Sequence, residues 1–283
     1  MPSRPVLALL ALLAMLHARP AVAADRTFLT SDGVRLHYTE TGHGHTIVLV
    51  PGWTMPAWIW DAQVADFSRH FRVIAFDPRA QGDSEAAHSG YDALRRGQDI
   101  AELIRHTSLE PVLLVGWSLG VLDVLAYAHA HGDARIAALV LVDNSVGEAP
   151  APLPVQHRPA TRVPRTREAR MRLFVDSMFA RPRPAAYLAR LTAACLRTPE
   201  DAAAALLNYD EPRSFWKDAV YATDRPVLYL VTPRFAGQAE NLRRHHPYAE
   251  SVVLHGVGHA MFVDDPARFD ALVGDFIRRR VWR

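Results

Sequence analysis

Short apolar runs alternate along the chain with segments of helical period. The runs TIVLV, FRVIAFD and PVLLVG are apolar at most positions, as strands are when both faces of a sheet are covered. Between the last two runs, Leu94, Ile100, Leu103 and Ile104 recur at the spacing of one helix face. The alternation predicts an α/β fold with a mostly parallel central sheet flanked by helices.

The same alternation continues towards the C-terminus. A helix is predicted from Leu119 to about His131, followed by a strand over ALVLVDN. Further strands are predicted over PVLYLVT and ESVVLHG, and a closing helix is predicted after Pro266. Nearer the N-terminus, GVRLHYTET alternates between apolar and polar residues, which is typical of a strand with one covered face.

Residues 145–224 interrupt this order, because they contain no convincing strand. Apolar residues recur at helical spacing over 171–179, and a second helix is predicted around Leu188 to Leu196. We interpret 145–224 as a helical cap insertion in an α/β core formed by 24–144 and 225–283.

Residues 1–23 read as a secretory signal peptide. Arg4 precedes the apolar run Val6 to Leu16, and Ala21-Val22-Ala23 is a small-x-small cleavage pattern. The apolar run is shorter than the roughly 20 residues that a membrane-spanning helix needs. We therefore expect cleavage after Ala23, export to the periplasm or the extracellular space, and a mature chain without a membrane span. An uncleaved N-terminal anchor is the alternative.

Charge and cysteine content narrow the expected partners. The formal net charge of +2 is too small to predict nucleic-acid binding. Six arginines lie between residues 158 and 172, opposed only by Glu168, and we interpret them as a solvated helix face; an anion or a membrane surface is the alternative. The single cysteine, Cys195, excludes an intrachain disulfide, and its helical spacing from Leu188 and Leu191 predicts a buried core residue.

The stretch LVGWSLG follows a predicted buried strand and opens a predicted helix. In this context G-x-S-x-G is a nucleophile elbow: Ser118 adopts a strained backbone conformation, while Gly116 and Gly120 let strand and helix pass close to it. The turn lifts the hydroxyl to the carboxyl edge of the sheet, where open α/β folds bind ligands. A serine hydroxyl is a poor nucleophile alone, so the site also needs a base, an acid and an oxyanion site.

Two further segments carry a family resemblance. FDPRAQGDS is similar to the D-x-R-G-x-G-x-S loop of the α/β-hydrolase fold family, with Ala80 in place of one glycine. The matching positions are Asp77, Arg79, Gly82 and Ser84. HGVGHAMFVDDP looks like the family's C-terminal G-x-G-H segment, which makes His259 the counterpart of the catalytic histidine. With the elbow, these segments make the chain resemble the serine esterase and cofactor-free haloperoxidase branch of the family.

The resemblance implies a role for each of these residues. His259 is expected to act as general base for Ser118, and the oxyanion is expected to rest on the backbone N–H groups of Leu119 and Trp53. Pro51-Gly52 stands where the family usually has His-Gly; the proline stiffens the loop but leaves the N–H of Trp53.

Other aromatic and histidine side chains are less specific. Trp117 is predicted to bind substrate, whereas Trp58 and Trp60 fit a substrate pocket and a protein core equally. No metal is expected, because no Cys, His and Asp set has the spacing of a closed metal site. Structural or surface roles are therefore assigned to four histidines: His43, His45, His245 and His246. No cofactor is expected either, because a serine hydrolase that works through an acyl-enzyme requires none.

The acid is the least determined member of the site. Family members most often carry it after the strand that here reads PVLYLVT, yet Phe235 lies near that place. Asp143 ends the strand ALVLVD, and some family members draw their acid from this preceding strand, so we predict Asp143 as the acid. The alternatives are Glu240, a dyad without an acid, and an Asp143 that only caps the following turn.

Together these residues predict a secreted serine hydrolase that cleaves small carboxylic esters through an acyl-enzyme on Ser118. Perhydrolase or haloperoxidase-type chemistry and lactone hydrolysis are alternatives on the same fold. The resemblance disfavours haloalkane dehalogenase and epoxide hydrolase chemistry, because those relatives use an aspartate where this chain has Ser118. A non-catalytic ligand-binding protein on a hydrolase scaffold is the alternative of a different class.

Overall fold

The structure, a computed structural model, describes residues 23–152 and 165–282. Eight strands form one sheet: β1 (Ala24–Leu29), β2 (Arg35–Thr41), β3 (Thr46–Val50), β4 (Arg72–Asp77), β5 (Val112–Trp117), β6 (Ile136–Val142), β7 (Val227–Val231) and β8 (Ala249–Val253). Their order in the sheet is β1-β2-β4-β3-β5-β6-β7-β8. β2 pairs antiparallel with β1 and β4, and all other neighbours pair parallel, which confirms the predicted mostly parallel sheet.

Helices flank this sheet. In the described residues the α-helices are α1 (Asp61–Phe67), α2 (Ala93–Thr107), α3 (Leu119–His131), α4 (Arg167–Ser177), α5 (Ala185–Leu196), α6 (Glu200–Ala205), α7 (Arg213–Tyr221), α8 (Ala236–His245), α9 (Met261–Asp264) and α10 (Pro266–Phe276). Short 3₁₀ turns lie at Ala57–Trp60 and Pro233–Phe235, and a π-turn at Ile277–Val281. The helices predicted after residue 118 and at Pro266 are α3 and α10.

The degree to which each strand is buried explains whether its sequence predicts a strand. Every residue of β3 and β5 is buried, because helices cover both faces of the central sheet, and these strands read as unbroken apolar runs. β1 was not predicted. Only Phe28 of this edge strand is buried, so its sequence ADRTFL carries no apolar run.

The described part of 145–224 forms α4 to α7 and contains no strand. α4 and α5 pack on each other, and their apolar faces join a core cluster through residues such as Val175 and Leu191. Cys195 is buried in the same cluster, as its spacing predicts, and burial raises the pKa of its thiol to about 11. α7 packs instead against α3. The boundaries of the cap insertion stay a prediction.

The predicted signal peptide lies outside the described residues except for Ala23, and so do the arginines at 158 and 162. β1 begins at Ala24, directly after the predicted cleavage point. None of the helices in 23–152 and 165–282 combines the length and the apolar character needed to cross a membrane.

Candidate active site

Ser118 lies in a tight turn between β5 and α3. Its backbone has φ 54° and ψ −120°, a strained conformation for a residue with a side chain. A side chain at Gly116 would collide with the carbonyl of Gly120, and one at Gly120 would collide with the carbonyl of Val50. Strand and helix therefore approach closely enough to hold Ser118 at the carboxyl end of the central strand, with its side chain partly exposed.

His259 follows β8 and faces the same edge of the sheet. Its Nδ1 lies 2.7 Å from Oδ2 of Asp143, which directly follows β6. The side chain of Asp143 is only 3% exposed and that of His259 is 25% exposed. Because Nδ1–H donates to the carboxylate, the neutral ring keeps Nε2 as its acceptor, which is the state a general base requires.

The second oxygen of Asp143 has partners that the sequence analysis missed. Oδ1 accepts from the backbone N–H and the hydroxyl of Thr232, each at 2.7 Å. Thr232 directly follows β7, the strand after which the family most often carries its acid. These bonds orient the carboxylate so that Oδ2 faces His259. Glu240, the alternative acid, lies on α8 and bonds Arg243 and Arg244 on an exposed surface.

The loop after β3 lies against the serine. A Cβ added at Gly52 would lie 2.9 Å from Cβ of Ser118. Thr54 takes φ 59°, and its N–H donates to the buried side chain of Gln81, which the sequence analysis also missed. Gly52, the residue before Trp53, is thus the part of this loop that lies against Ser118. Leu119 begins α3, where the first backbone N–H groups have no partner within the helix.

The indole of Trp53 reaches into the helical segment above the site. Its Nε1 donates to the carbonyl of Ala203 in α6 at 2.7 Å, and its ring meets Phe174 of α4 edge to face, with centroids 4.9 Å apart. α4 and α6 therefore lie over the loop that carries this backbone N–H.

The other tryptophans divide between core and surface. Trp60 is fully buried and stacks on Phe262, whereas Trp58 is half-buried beside Tyr187. Trp117 was expected to bind substrate, but its side chain is 1% exposed because it points into the core beneath the sheet edge. Its indole N–H donates to the carbonyl of His259 at 2.8 Å. Trp117 thus supports the histidine loop.

A second group of polar residues lies where β2, the end of β4 and the loop after β4 meet. Side-chain atoms of His37, Asp77 and Asp83 that could ligate a metal lie within 4.8 Å of one another, a grouping that sequence spacing does not reveal. The carboxylate of Asp77 already accepts from the backbone N–H groups of Ala57 and Asp83 and bonds His37. This carboxylate therefore supports the loop. Ala80, in place of a glycine, adopts φ 63°.

The sequence profile of the alpha/beta hydrolase family matches residues 47–272. The chain belongs to the alpha/beta hydrolase family. Among curated members, the non-heme haloperoxidase of Rhodococcus erythropolis is 36% identical over 113 residues, 40% of this chain and 41% of that protein. The soluble epoxide hydrolase of Corynebacterium sp. (strain C12) is 34% identical over 98 residues, 34% of each chain. This hydrolase-family chain thus matches less than half the length of these relatives.

Several solved structures match over most of the chain. A candidate aryl esterase from Burkholderia cenocepacia superposes with a TM-score of 0.80 at 26% identity, covering 90% of this chain and 98% of that one. The esterase RhEst1 from Rhodococcus sp. ECU1013 gives a TM-score of 0.78 at 26% identity, covering 90% and 99%. A bromoperoxidase from Bacillus anthracis, with a TM-score of 0.75 at 19% identity, shares the fold.

Proposed function

We propose that this protein is a serine hydrolase of carboxylic esters with Ser118 as nucleophile, His259 as general base and Asp143 as acid. The observation that carries the proposal is the bond between the buried carboxylate of Asp143 and the partly exposed ring of His259, 2.7 Å apart, at the same sheet edge as a serine in a strained elbow. The pair also favours an enzyme over a non-catalytic binding protein, because Asp143 could supply the acid that is missing after β7.

The proposed reaction has two halves. The oxygen of Ser118 attacks the ester carbonyl carbon while Nε2 of His259 takes the hydroxyl proton. The C–O bond to the alcohol then breaks, the alcohol takes the proton from His259, and an acyl-enzyme remains. Water attacks the acyl carbon, His259 takes the proton of this water and returns it to Ser118, and the acid leaves.

Two groups lower the barriers of both halves. The negative charge on the carbonyl oxygen would rest on the backbone N–H groups of Trp53 and Leu119, which as backbone donors would need little reorganisation. Asp143 would hold the His259 ring in place and stabilise the imidazolium formed in each half. Its bonds to Thr232 support this role, because they leave one oxygen aimed at the ring.

The relatives support an ester substrate and suggest one competing reaction. Two solved structures at 26% identity are described as esterases or esterase candidates. The haloperoxidase-named relative of Rhodococcus erythropolis favours a second candidate, perhydrolysis, in which hydrogen peroxide instead of water attacks the acyl-enzyme. Epoxide hydrolysis is disfavoured despite a relative of that name, because Ser118 stands at the nucleophile position.

Activity on p-nitrophenyl acetate, butyrate and octanoate tests the proposal. The wild type should hydrolyse at least one ester and Ser118→Ala should not, while a fluorophosphonate should label the wild type alone. Peracid formation from acetate and hydrogen peroxide tests the second candidate. A wild type that neither turns over esters nor takes the label would overturn the proposal in favour of a binding protein.

Export to the periplasm or the extracellular space is part of the proposal. It is supported by the position of β1, because cleavage after Ala23 leaves every described strand and helix intact. Expression of the full chain in a bacterium, followed by cell fractionation and N-terminal sequencing, tests it. A mature N-terminus at Ala24 outside the cytoplasm is expected; an unprocessed chain would contradict it.

A further inference from the structure

Asp264 is a buried carboxylate that the proposed mechanism does not use. It ends α9, shortly after His259, and its side chain is fully buried. A buried charge is costly unless hydrogen bonds compensate it, so the groups that bond Asp264 show what it holds together.

The carboxylate of Asp264 bonds two separate segments. Its Oδ2 accepts from the backbone N–H of Gly258, the residue before His259, at 2.7 Å. The same oxygen accepts from the backbone N–H of Ala180 at 2.8 Å. Its Oδ1 bonds Nη2 of Arg183 at 2.5 Å and the backbone N–H of Arg181 at 3.4 Å. Ala180 to Arg183 belong to the connection between α4 and α5.

Backbone contacts reinforce the same junction on the other side of the histidine. The N–H of Ala260 donates to the carbonyl of Met178 at 2.9 Å. A Cβ added at Gly258 would lie 2.6 Å from the carbonyl oxygen of Met178 and 2.7 Å from the nitrogen of Ala180, so the two segments touch through backbone atoms. Of the two neighbours of His259, Ala260 therefore bonds Met178 directly, and Gly258 packs against Met178 and Ala180.

We propose that Asp264 is a positioning residue that ties the loop of His259 to the α4–α5 connection, so that the helical segment sets the location of the general base. This inference rests on the proposed function in one respect, which is the role of His259 as general base. Asp264 itself does not reach the reacting atoms; it acts through the Gly258 N–H and through residues 180–183.

The charge of Asp264 suits this role. Burial alone would raise its pKa, but hydrogen bonds from Ala180, Arg183 and Gly258 outweigh burial and hold the pKa below the ordinary 3.8. An ionised carboxylate can accept from all of its donors at once. An asparagine has only one accepting oxygen, and its NH₂ group would face N–H donors, so Asp264→Asn removes part of the junction with little change of volume.

The experiment compares Asp264→Asn with a neighbouring control. Asp265→Asn is the control, because Asp265 is an adjacent carboxylate that bonds Arg181 and Arg268 but no residue of the histidine loop. Asp264→Glu keeps the charge, and Arg183→Gln removes one donor on the cap side. Each purified full-length variant is titrated with a fluorophosphonate, and kcat is expressed per labelled site.

We expect kcat per labelled site to fall by about 10²-fold in Asp264→Asn, since a shift of about 1 Å in a catalytic group has that effect. KM should change little, and the midpoint of the kcat/KM pH profile should move. Asp264→Glu and Arg183→Gln should lose less, and Asp265→Asn should match the wild type. If Asp264 had a purely structural role, Asp264→Asn would reduce the number of labelled sites but leave kcat per labelled site and the pH midpoint unchanged. That result would overturn the proposal.

Hydrogen exchange provides a test that needs no enzyme activity. In Asp264→Asn, peptides covering 256–262 and 178–183 should both exchange faster than in the wild type, and in Asp265→Asn neither should. Unchanged exchange at 178–183 would show that Asp264 does not join the two segments. A wild type without esterase activity would refute the proposed function, while these exchange rates would still decide the inference.

Discussion

Two histidine–aspartate pairs in this molecule share one geometry and differ in their surroundings. Nδ1 lies 2.7 Å from a carboxylate oxygen in both His37–Asp77 and His259–Asp143. In the first pair, Nε2 of His37 lies 3.4 Å from a second carboxylate, that of Asp25. In the described chain, the only carboxylate that His259 meets is that of Asp143.

The difference distinguishes an ion pair from the proposed general base. The hydrogen bond to Asp77 raises the pKa of His37 above its ordinary 6.5, although burial opposes the rise, and Asp25 adds to it. A ring with both nitrogens protonated cannot accept a further proton. His259 keeps one nitrogen unpaired with carboxylates, at the edge that carries the elbow. The group beside the second nitrogen, and not the pair distance, therefore distinguishes the two sites.

The largest expected effect comes from Asp143→Asn. The asparagine would no longer favour the tautomer with Nδ1–H, so kcat on a p-nitrophenyl ester should fall by up to ~10⁴-fold, as it does in a serine protease triad. Steady-state kinetics beside Ser118→Ala measures the loss. Activity equal to the wild type would mean that Asp143 is not the acid.

Asp77→Asn disrupts the His37–Asp77 pair and should lower the free energy of unfolding. The carboxylate bonds His37 and the backbone N–H of Ala57 and Asp83, and it is buried. Removing one partner of a buried pair typically costs about 3–5 kcal/mol. Urea unfolding should show this loss in the free energy of unfolding. If Asp77→Asn were as stable as the wild type, the pair would not support the fold.

His37→Gln should change the pH dependence of stability. Because the folded pKa is raised, the folded state binds this proton more tightly than the unfolded state. The stabilisation is complete below the unfolded value near 6.5 and is lost as the pH rises through the raised pKa. Urea unfolding from pH 6 to pH 9 should show a decline in the wild type that is smaller in His37→Gln. Parallel curves would exclude a charged His37.

The smallest effect is expected from Asp25→Asn. Its side chain is 84% exposed, and exposed ion pairs contribute at most about 1 kcal/mol. The free energy of unfolding should change by less than this amount, while the pH at which His37 loses its proton, followed by NMR of the ring, should decrease. An unchanged titration of His37 would show that Asp77 alone sets its pKa.

The elbow and the parallel sheet could be predicted because their requirements are local. Gly116, Ser118 and Gly120 are close in sequence, and each central strand contains its own apolar run. β1 could not be predicted in this way, because an edge strand with one buried residue has no such run. Trp117 was predicted to bind substrate because it lies next to Ser118 in the sequence. The sequence does not show that its side chain points into the core.

By itself, the sequence determined the alternation of central strands and helices, the elbow at Ser118 and, through a family resemblance, the histidine at position 259, because each depends on a short-range pattern. Only the tertiary structure decided that His259 meets Asp143, which is 116 residues away, and that Thr232, 89 residues from Asp143, orients its carboxylate. The tertiary structure alone also shows that Asp264 bonds the α4–α5 connection. Such pairs arise where the carboxyl ends of neighbouring strands and a helical segment converge in space, and no local periodicity specifies which side chains then touch.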